Sequence, residues 1–273
     1  MGILAPAMKL QGRRACITGG AQGIGLAIAH ALAARGCHLV LADIDPSALE
    51  AAAESLAESG VDVEVMSLDV TDAEAVKAMP ERVGEIDLLV NNAGTVHGGR
   101  FLDVDPDIHA RVIKVNLEAL VRVTHALLPG LITRPEAMIV NLASAAGFVG
   151  LPFAGSYAGT KWGVIGFGET IRLELKELGQ PQVRVMHVCP GYVDTALFRG
   201  VSVLRSTRLL NPARLAGKVV RGIERNRIWI RSPFLVAITP TLRALMPTVM
   251  VDQVLRIFGA SRSMQGWRGR LDD

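Results

Sequence analysis

Ser144, Tyr157 and Lys161 are of types that can act together on one reacting atom, and they fall within 18 residues of one another. Tyr157 and Lys161 are four apart, so on a helix they share a face, one turn apart. A cation beside a phenol favours phenolate, moving a group with a reference pKa of about 10 toward working pH. A phenol tuned in this way serves as a general acid and base. By itself a Tyr-x-x-x-Lys pair is usually only a helix face with an amphipathic Tyr and a solvated Lys. Chemistry requires the right surroundings.

The apolar periodicity after Tyr157 (Trp162, Val164, Ile165, Phe167, Ile171, Leu175) predicts that helix and carries it toward Leu178 and Gly179. Ser144 comes from a different element. It follows the apolar run at residues 138–142, a predicted buried strand, and so lies at the edge where open α/β sheets bind ligands.

Further upstream, residues 14–18 read as a strand, followed by the turn Gly19-Gly-Ala-Gln-Gly-Ile-Gly25, a helix to Gly36 and a strand at 38–42 that ends in Asp43. Strand, Gly-rich turn, helix, strand and acid form a βαβ unit of the size a dinucleotide site needs. Glycines let the backbone approach a pyrophosphate, and the helix N-terminus supplies amide donors. Asp43 follows the last glycine by 18 residues, close to the roughly 20 expected of a carboxylate that bonds ribose hydroxyls. The glycine spacing is Gly19-x-x-x-Gly23-x-Gly25 rather than G-x-G-x-x-G. Asp43 favours NAD over NADP, because a 2′-phosphate would meet a like charge while Gln22 and Ile44 are uncharged.

Alternation continues: a helix at 46–59 that starts near Asp45 or Ser47, a strand at 61–68, a helix at 72–79, and a strand at 86–90 before Asn91-Asn-Ala-Gly94. Asp69 suits a helix cap or a contact to an adenine edge, and the residues alone favour the cap. A long amphipathic helix spans 107–128 with Asn116 inside it, an unfavourable interior residue that invites a polar task. A strand at 183–189 ends at Pro190-Gly191, a helix starts at Asn211-Pro212 and ends near Arg225, and a short strand follows at 227–230. This pattern predicts an α/β fold with a doubly wound, mostly parallel sheet in a single domain over residues 1–273. Its core spans about 10–231, with an apolar C-terminal extension over about 232–273.

The 273 residues are half apolar and one-fifth charged, with a net charge of +3, which is globular composition. No long basic run interleaved with aromatics is present, so nucleic acid is not an expected partner. Cys16, Cys37 and Cys189 are widely spaced and form no Cys-x-x-Cys pair, so neither disulfides nor a metal site is expected. A reducing cytoplasm fits them. The apolar start lacks the basic region and length of a secretory signal, and Pro6 breaks the myristoylation pattern.

Taken in order, Thr18-Gly-Gly-Ala-Gln-Gly-Ile-Gly25, Asp69-Val70, Asn91-Asn-Ala-Gly94, Asn116, Ser144, Tyr157-x-x-x-Lys161 and Pro190-Gly191 with Thr195 resemble the short-chain dehydrogenase/reductase family, in its compact single-domain branch with a Rossmann fold. The resemblance covers residues 10 to 231. It implies Tyr157 as catalytic acid/base and Lys161 as the group that lowers its pKa and holds the nicotinamide ribose. It implies Ser144 as the hydrogen-bonding partner of the reacting oxygen, and Asn116 as the holder of a proton-relay water. Cofactor contacts are implied for Gly19, Gln22, Gly23, Ile24, Gly25, Asp43, Asp69, Val70, Asn92, Ala93, Gly94, Tyr157, Lys161, Pro190, Gly191, Val193 and Thr195. Asp69 thereby becomes an adenine contact in place of a cap. The family's usual Tyr-x-Ala-Ser-Lys is Tyr157-Ala-Gly-Thr-Lys161 here, followed by Trp162, so packing around a helix that often forms a subunit interface differs. The implied reaction is hydride transfer between an alcohol carbon and NAD, with Tyr157 taking the alcohol proton. A homodimer or homotetramer is implied as well.

The extension bears on the substrate. Residues 233–238 and 242–246 are apolar, and Pro247 starts a predicted helix with Val249, Met250, Val251, Val254, Leu255, Ile257 and Phe258 that stops at Gly259. Prolines 233, 240 and 247 with Arg243, Asp252 and Arg256 argue against a transmembrane span. Three readings stand: a subunit interface or core cover, a lid over an apolar substrate, or a peripheral membrane contact. Apolar residues Phe148, Val149, Leu151, Phe153 and those at 198–204 occupy the expected substrate loops, so a bulky apolar alcohol or ketone of steroid, retinoid or lipid type is expected. His97 is a candidate for the pocket mouth or for the surface. A non-catalytic NAD-binding protein would have no need of Ser144, Tyr157, Lys161 and Asn116 together. A dehydrogenase of small polar alcohols also remains, whereas a sugar-nucleotide epimerase would need a larger substrate domain.

Overall fold

The computed structural model describes residues 7–198, 200–201, 208–265 and 267. Seven parallel strands form one sheet in the order β3-β2-β1-β4-β5-β6-β7. They are β1 (Arg14–Thr18), β2 (His38–Asp43), β3 (Val63–Ser67), β4 (Leu88–Asn91), β5 (Ala137–Leu142), β6 (Val183–Pro190) and β7 (Trp229–Ser232). Between β1 and β4 the direction of winding reverses, and the crevice beyond their carboxyl ends is the expected ligand site of such a sheet. The central strands are apolar on both faces because helices cover both. On one face α1 (Gly23–Ala33), α2 (Pro46–Leu56) and α8 (Pro212–Glu224) bury Leu32, Leu49 and Val219. On the other, α3 (Ala73–Lys77), α4 (Met79–Val83), α5 (Pro106–Ile113), α6 (Ala119–Ile132) and α7 (Gly155–Glu177) bury Val76, Met79, Val123 and Leu175. The doubly wound α/β fold is thus present.

Boundaries differ where local chemistry decides them. Asp72, not Asp69, caps α3 by accepting from the backbone amides of Glu74 and Ala75, and the predicted helix at 72–79 breaks before Pro80. Asp45, not Ser47, caps α2. The last strand lies two residues later than the pattern at 227–230 predicts, because His187 of β6 pairs with Trp229. The long helix is interrupted at Lys114–Glu118 by a π turn that contains Asn116, so α5 and α6 are two pieces of one rod. Beyond β7 the extension forms α9 (Phe234–Leu245) and α10 (Thr248–Ile257), with Gly259 in the left-handed region at φ 85° ending the latter. All three cysteines are buried and free, and burial pushes the Cys16 and Cys189 thiols up to about 12.

A buried polar row crosses the sheet. Asn91 donates to Asn141 Oδ1 at 2.9 Å and to Thr124 Oγ1 at 3.0 Å, and Asn141 stands beside His187 in register. The His187 ring is fully buried, stacks at 4.5 Å on Trp229 and lies 3.2 Å from Glu169 of α7. Burial lowers its pKa, so it is neutral at pH 7. Helix α7 passes over this ring only because residue 168 is glycine: a Cβ there would sit 2.2 Å from His187 Cε1. Gly168→Ala is therefore expected to lower stability by about 1–3 kcal/mol through overpacking, although alanine in an open helix gains about 1 kcal/mol. A lower urea midpoint tests this; a raised one would mean that α7 lifts freely off the sheet.

Candidate active site

The turn after β1 sets the floor of the site. Gly19 and Gly23 adopt φ of 62° and 57°, open to glycine at little strain. Asn92, just past β4, donates through Nδ2 to the carbonyls of Gly19 and Thr18 at 2.7 and 3.0 Å. Thr18 Oγ1 in turn accepts from the Asn92 and Ala93 amides at 3.1 and 3.2 Å. Two strand ends are thereby tied into one cradle. Gly25 does not line that cradle, contrary to expectation: its Cα packs so closely under Gly19 that a Cβ would come within 2.1 Å of the Gly19 oxygen.

Around the turn runs a cavity of about 780 Å³ along the carboxyl edge of the sheet. Of the remaining expected cofactor residues, Gly19, Gln22, Gly23, Ile24, Asp43, Asp69, Val70, Asn92, Ala93, Gly94, Tyr157, Lys161, Pro190, Gly191, Val193 and Thr195 all line it. Asp43 is 7% exposed and accepts from the Ala21 amide at 3.1 Å and the Asp45 amide at 3.3 Å. A carboxylate offers about four acceptor sites, so lone pairs remain for a ligand. Asp69 accepts from the amide and hydroxyl of Thr71, both at 2.8 Å, which holds it at the wall. Sequence reasoning missed Thr95, Arg111, Lys114 and Trp267 in the lining. The two cations are exposed, Arg111 on α5 and Lys114 at the start of the π turn; Trp267 is 70 residues in sequence from the Leu197 carbonyl its indole donates to.

Ser144 follows β5 and accepts from the Ala146 amide at 3.1 Å. Tyr157 and Lys161 lie one turn apart on α7, both nearly buried, with Lys161 Nζ 5.6 Å from the Tyr157 ring centre. Nζ donates to the Leu142 carbonyl at 2.8 Å. Asn116 does not line the cavity. Its Oδ1 accepts from the Thr95 amide at 2.7 Å, while Nδ2 donates to the Thr95 carbonyl at 2.8 Å and to Thr160 Oγ1 at 3.2 Å. The π turn thus aims Asn116 at the loop beside Gly94, as such interruptions at functional sites commonly do. Thr160, a departure from the family's usual serine, is buried and part of this bracket.

Within the protein alone burial dominates at the phenol: it pushes Tyr157 up to about 12, against a hydrogen bond from Ser144 that lowers it. Burial also pushes Lys161 down to about 8. Both charged forms are therefore costly until further charge or hydrogen bonding favours them. A stability test follows. In the unfolded chain Lys161 keeps its proton to about 10.4, and in the folded chain it releases it near 8. Between those values the unfolded chain binds more protons, so this group adds stability as pH rises. Relative to Lys161→Met, the cofactor-free protein is expected to gain up to about 1.4 kcal/mol per pH unit across that window. A difference that is flat with pH would mean that Lys161 is not desolvated.

A second, apolar cavity of about 140 Å³ meets the first at Ser144 and Tyr157, which line both. Leu151, Tyr192 and Phe198 form one wall, and Val236 and Leu242 of α9 with Val254 of α10 form the other. The extension is fastened there: Tyr192 Oη and Ser263 Oγ are 2.6 Å apart, and Arg243 donates to the Phe148 carbonyl at 2.6 Å while lying 4.3 Å over Trp162. Of the segment at 198–204, Phe198 lines both cavities; Arg199 and 202–204 lie outside the described residues. His97 lines neither, and packs edge-on against Trp267 at 4.9 Å.

Residues 13–203 match the family described as short chain dehydrogenase. The chain belongs to the short-chain dehydrogenase/reductase family. It is 36% identical over 225 residues to oxidoreductase UcpA of Escherichia coli (strain K12), covering 81% of this chain and 83% of that one. To estradiol 17-beta-dehydrogenase 11 of Rattus norvegicus it is 31% identical over 253 residues, covering 91% and 84%. Among solved structures, a family member from Burkholderia phymatum in complex with NAD superposes with a TM-score of 0.78 at 28% identity, covering 91% of this chain and 96% of that one. The alcohol dehydrogenase of the archaeon Thermococcus sibiricus, complexed with 5-hydroxy-NADP, gives 0.71 at 30% identity, covering 80% and 95%. As a family member the protein is an oxidoreductase of a small-molecule substrate, and its fold binds a nicotinamide cofactor. The Gly19–Gly23 cradle, the acceptor at Asp43 and the cation at Lys161 fit such a dinucleotide along the larger cavity.

Proposed function

We propose that this protein is an NAD-dependent dehydrogenase/reductase that interconverts a bulky apolar alcohol and its carbonyl, of steroid, retinoid or lipid type. One observation carries the reading: the apolar cavity closed by α9 and α10 opens onto the dinucleotide cavity at Ser144 and Tyr157. A substrate seated there would place its polar end on the two hydroxyls and its apolar body against the extension. Ligand pockets of this composition, apolar with few convergent polar groups, take ligands of matching shape. The names of the rat estradiol dehydrogenase and of a Xenopus laevis retinol dehydrogenase, 30% identical over 289 residues, point the same way. Of the three readings of the extension, the lid is favoured.

In this reading Tyr157 Oη takes the alcohol proton during oxidation and returns it during reduction. Ser144 Oγ hydrogen-bonds the reacting oxygen and stabilises charge as it develops. Lys161 holds the nicotinamide ribose and faces the phenol. Asn116 fixes the loop at Thr95 and thereby the floor beside Gly94. A bound nicotinamide supplies the hydride acceptor or donor and, when oxidised, a positive charge beside Tyr157. NAD is preferred because Asp43 offers acceptors to ribose hydroxyls and would repel a 2′-phosphate, with no cation at Ile44 to offset it. The buried free cysteines suit a reducing cytoplasm, and a homodimer or homotetramer is the expected assembly.

The test is NADH formation from NAD with a panel of apolar primary and secondary alcohols beside small polar ones. Turnover of bulky apolar alcohols supports the reading. Turnover confined to small polar alcohols would sink the substrate class, and tight NAD binding without turnover would sink the enzyme.

A further inference from the structure

Beyond α10 the chain turns at Gly259 and runs back over the reacting groups, where it is fastened at several points. Ser263 Oγ donates to the Ala260 carbonyl at 2.8 Å and so accepts from Tyr192 Oη at 2.6 Å. Met264 is buried in one apolar cluster with Tyr157, Val96, Val112 and Ala154. Trp267 Nε1 donates to the Leu197 carbonyl at 3.1 Å, and its ring meets His97 edge-on at 4.9 Å. Behind Trp267 stands Gly98, where a Cβ would come within 3.0 Å of Trp267 Cβ. The indole therefore bridges the loop after β4 and the loop after β6, seated on a glycine that leaves it room.

This bridge lies on one particular side of the reacting groups. Trp267 lines the larger cavity with Val96, Leu197 and Phe198, but it does not line the apolar one. Phe198 lines both, and packs edge-on to Tyr157 at 6.2 Å and to Tyr192 at 5.4 Å. The junction at Tyr157 thus opens to the apolar cavity on one side and faces Val96, Leu197 and Trp267 on the other. A partly buried tryptophan usually finds a partner for its N–H, and here the Leu197 carbonyl takes it. The indole turns only hydrocarbon to the cavity, so it selects by shape and not by hydrogen bonding. Close-packed surroundings do not yield to an extra methylene without cost.

We infer that Trp267 is a specificity-determining residue, a wall that closes the reacting region on the side away from the apolar cavity. The carbinol carbon then carries one large apolar substituent, which enters the apolar cavity, and only hydrogen or methyl toward Trp267. The inference rests on the alcohol–carbonyl reaction proposed at Ser144 and Tyr157, and it narrows the substrate by shape. Alcohols at or next to the end of an apolar chain fit, giving aldehydes or methyl ketones. Alcohols set between two bulky groups, as within a fused ring system, do not. Lipid- and retinoid-like alcohols are thereby favoured over ring alcohols of steroid type.

The test is kcat/KM of the full chain with NAD and three isomers, 1-octanol, 2-octanol and 4-octanol, whose second substituents are hydrogen, methyl and propyl. One methylene too many in an apolar pocket is worth about 10–200-fold in kcat/KM, so 4-octanol is expected to fall at least about tenfold below 2-octanol. Trp267→Ala should remove most of that fall. Trp267→Phe, which keeps an aromatic wall without the hydrogen bond to Leu197, should retain most of it. A ratio taken within one variant cancels any loss common to all three alcohols. An unchanged ratio in Trp267→Ala marks a merely structural residue, and a parent that takes 4-octanol as readily as 2-octanol has no wall; either overturns the inference. If only small alcohols react, the apolar substrate class fails by itself. The wall is then read from 2-butanol and 3-pentanol, whose second substituents are methyl and ethyl, with the same order expected and equality overturning it. NAD binding without turnover of any of these alcohols overturns the reaction at Tyr157 and the inference with it.

Discussion

Tyr157→Phe is expected to lower kcat in both directions by roughly 10²–10⁴-fold, the usual worth of a positioned general acid/base, while leaving NAD affinity and folding little changed. The hydroxyl is the one group removed, and it lies where the two cavities meet. The ring itself packs edge-on to Phe198 at 6.2 Å, a contact that phenylalanine keeps. The pH profile adds a sharper reading. In the protein alone burial holds the phenol near 12, so oxidation, which needs phenolate, should speed up as pH rises until that group has titrated. The Phe variant should lose this limb. Equal loss of NAD binding would point to a collapsed site, and a residual profile of unchanged shape would assign the proton transfer to another group.

That single hydroxyl depends on groups from four places in the chain. Ser144 is presented by the end of β5, Lys161 by the next turn of α7, and Asn116 by a π turn that ties Thr95 and Thr160 together. The polar row through Asn91, Asn141 and His187 lies beneath α7 and sets the height of the helix, with Gly168 allowing the approach. The site is therefore held on rigid elements rather than on loops, and a substitution at Gly168, far from the reacting atoms, acts on the same helix that carries Tyr157 and Lys161.

Much of this was legible in the residues. Strand and helix periods, Gly turns and the order of short polar motifs led to the parallel sheet and to a common location for Ser144, Tyr157 and Lys161, because those signals are local. Signals that depend on pairs distant in sequence were not legible. Gly25 reads as a phosphate-facing glycine, yet its task is to let α1 pass under Gly19. Asp69 reads as a cap, but Asp72, three residues on, takes that role and leaves Asp69 at the cavity wall. Nothing in the chain order shows that Gly168 makes room for His187, or that Gly98 makes room for Trp267. The extension is apolar on both sides, so periodicity alone offered three readings; only the fold tells which residues face Tyr157 and which face outward. Nor was the upward shift of the phenol in the cofactor-free protein legible, since it follows from the burial of Tyr157 in the folded chain.

Asp43→Ala with Ile44→Arg is expected to reverse cofactor preference. The Asp43 carboxylate is fixed by the Ala21 and Asp45 amides, with its free lone pairs toward the cavity. Hydrogen bonds to a charged group contribute about 1.5–3 kcal/mol, so loss of the ribose contacts should lower kcat/KM for NAD by roughly 10–100-fold. Ile44 is 60% exposed at the cavity wall, so an arginine there costs little packing and can meet a 2′-phosphate. The like charge removed and the cation added act in the same direction on NADP, and its kcat/KM should rise above that of NAD. The amides of Ala21 and Asp45 lose their acceptor in the same variant, so part of the fall with NAD could come from a loosened turn. Asp43→Asn separates the two effects: it keeps an acceptor for one amide and removes only the charge, and should recover NADP binding with less loss of NAD. If neither variant moves the ratio, Asp43 serves the turn alone and preference is set elsewhere, with Arg111 and Lys114, which also line the cavity, as the next residues to change.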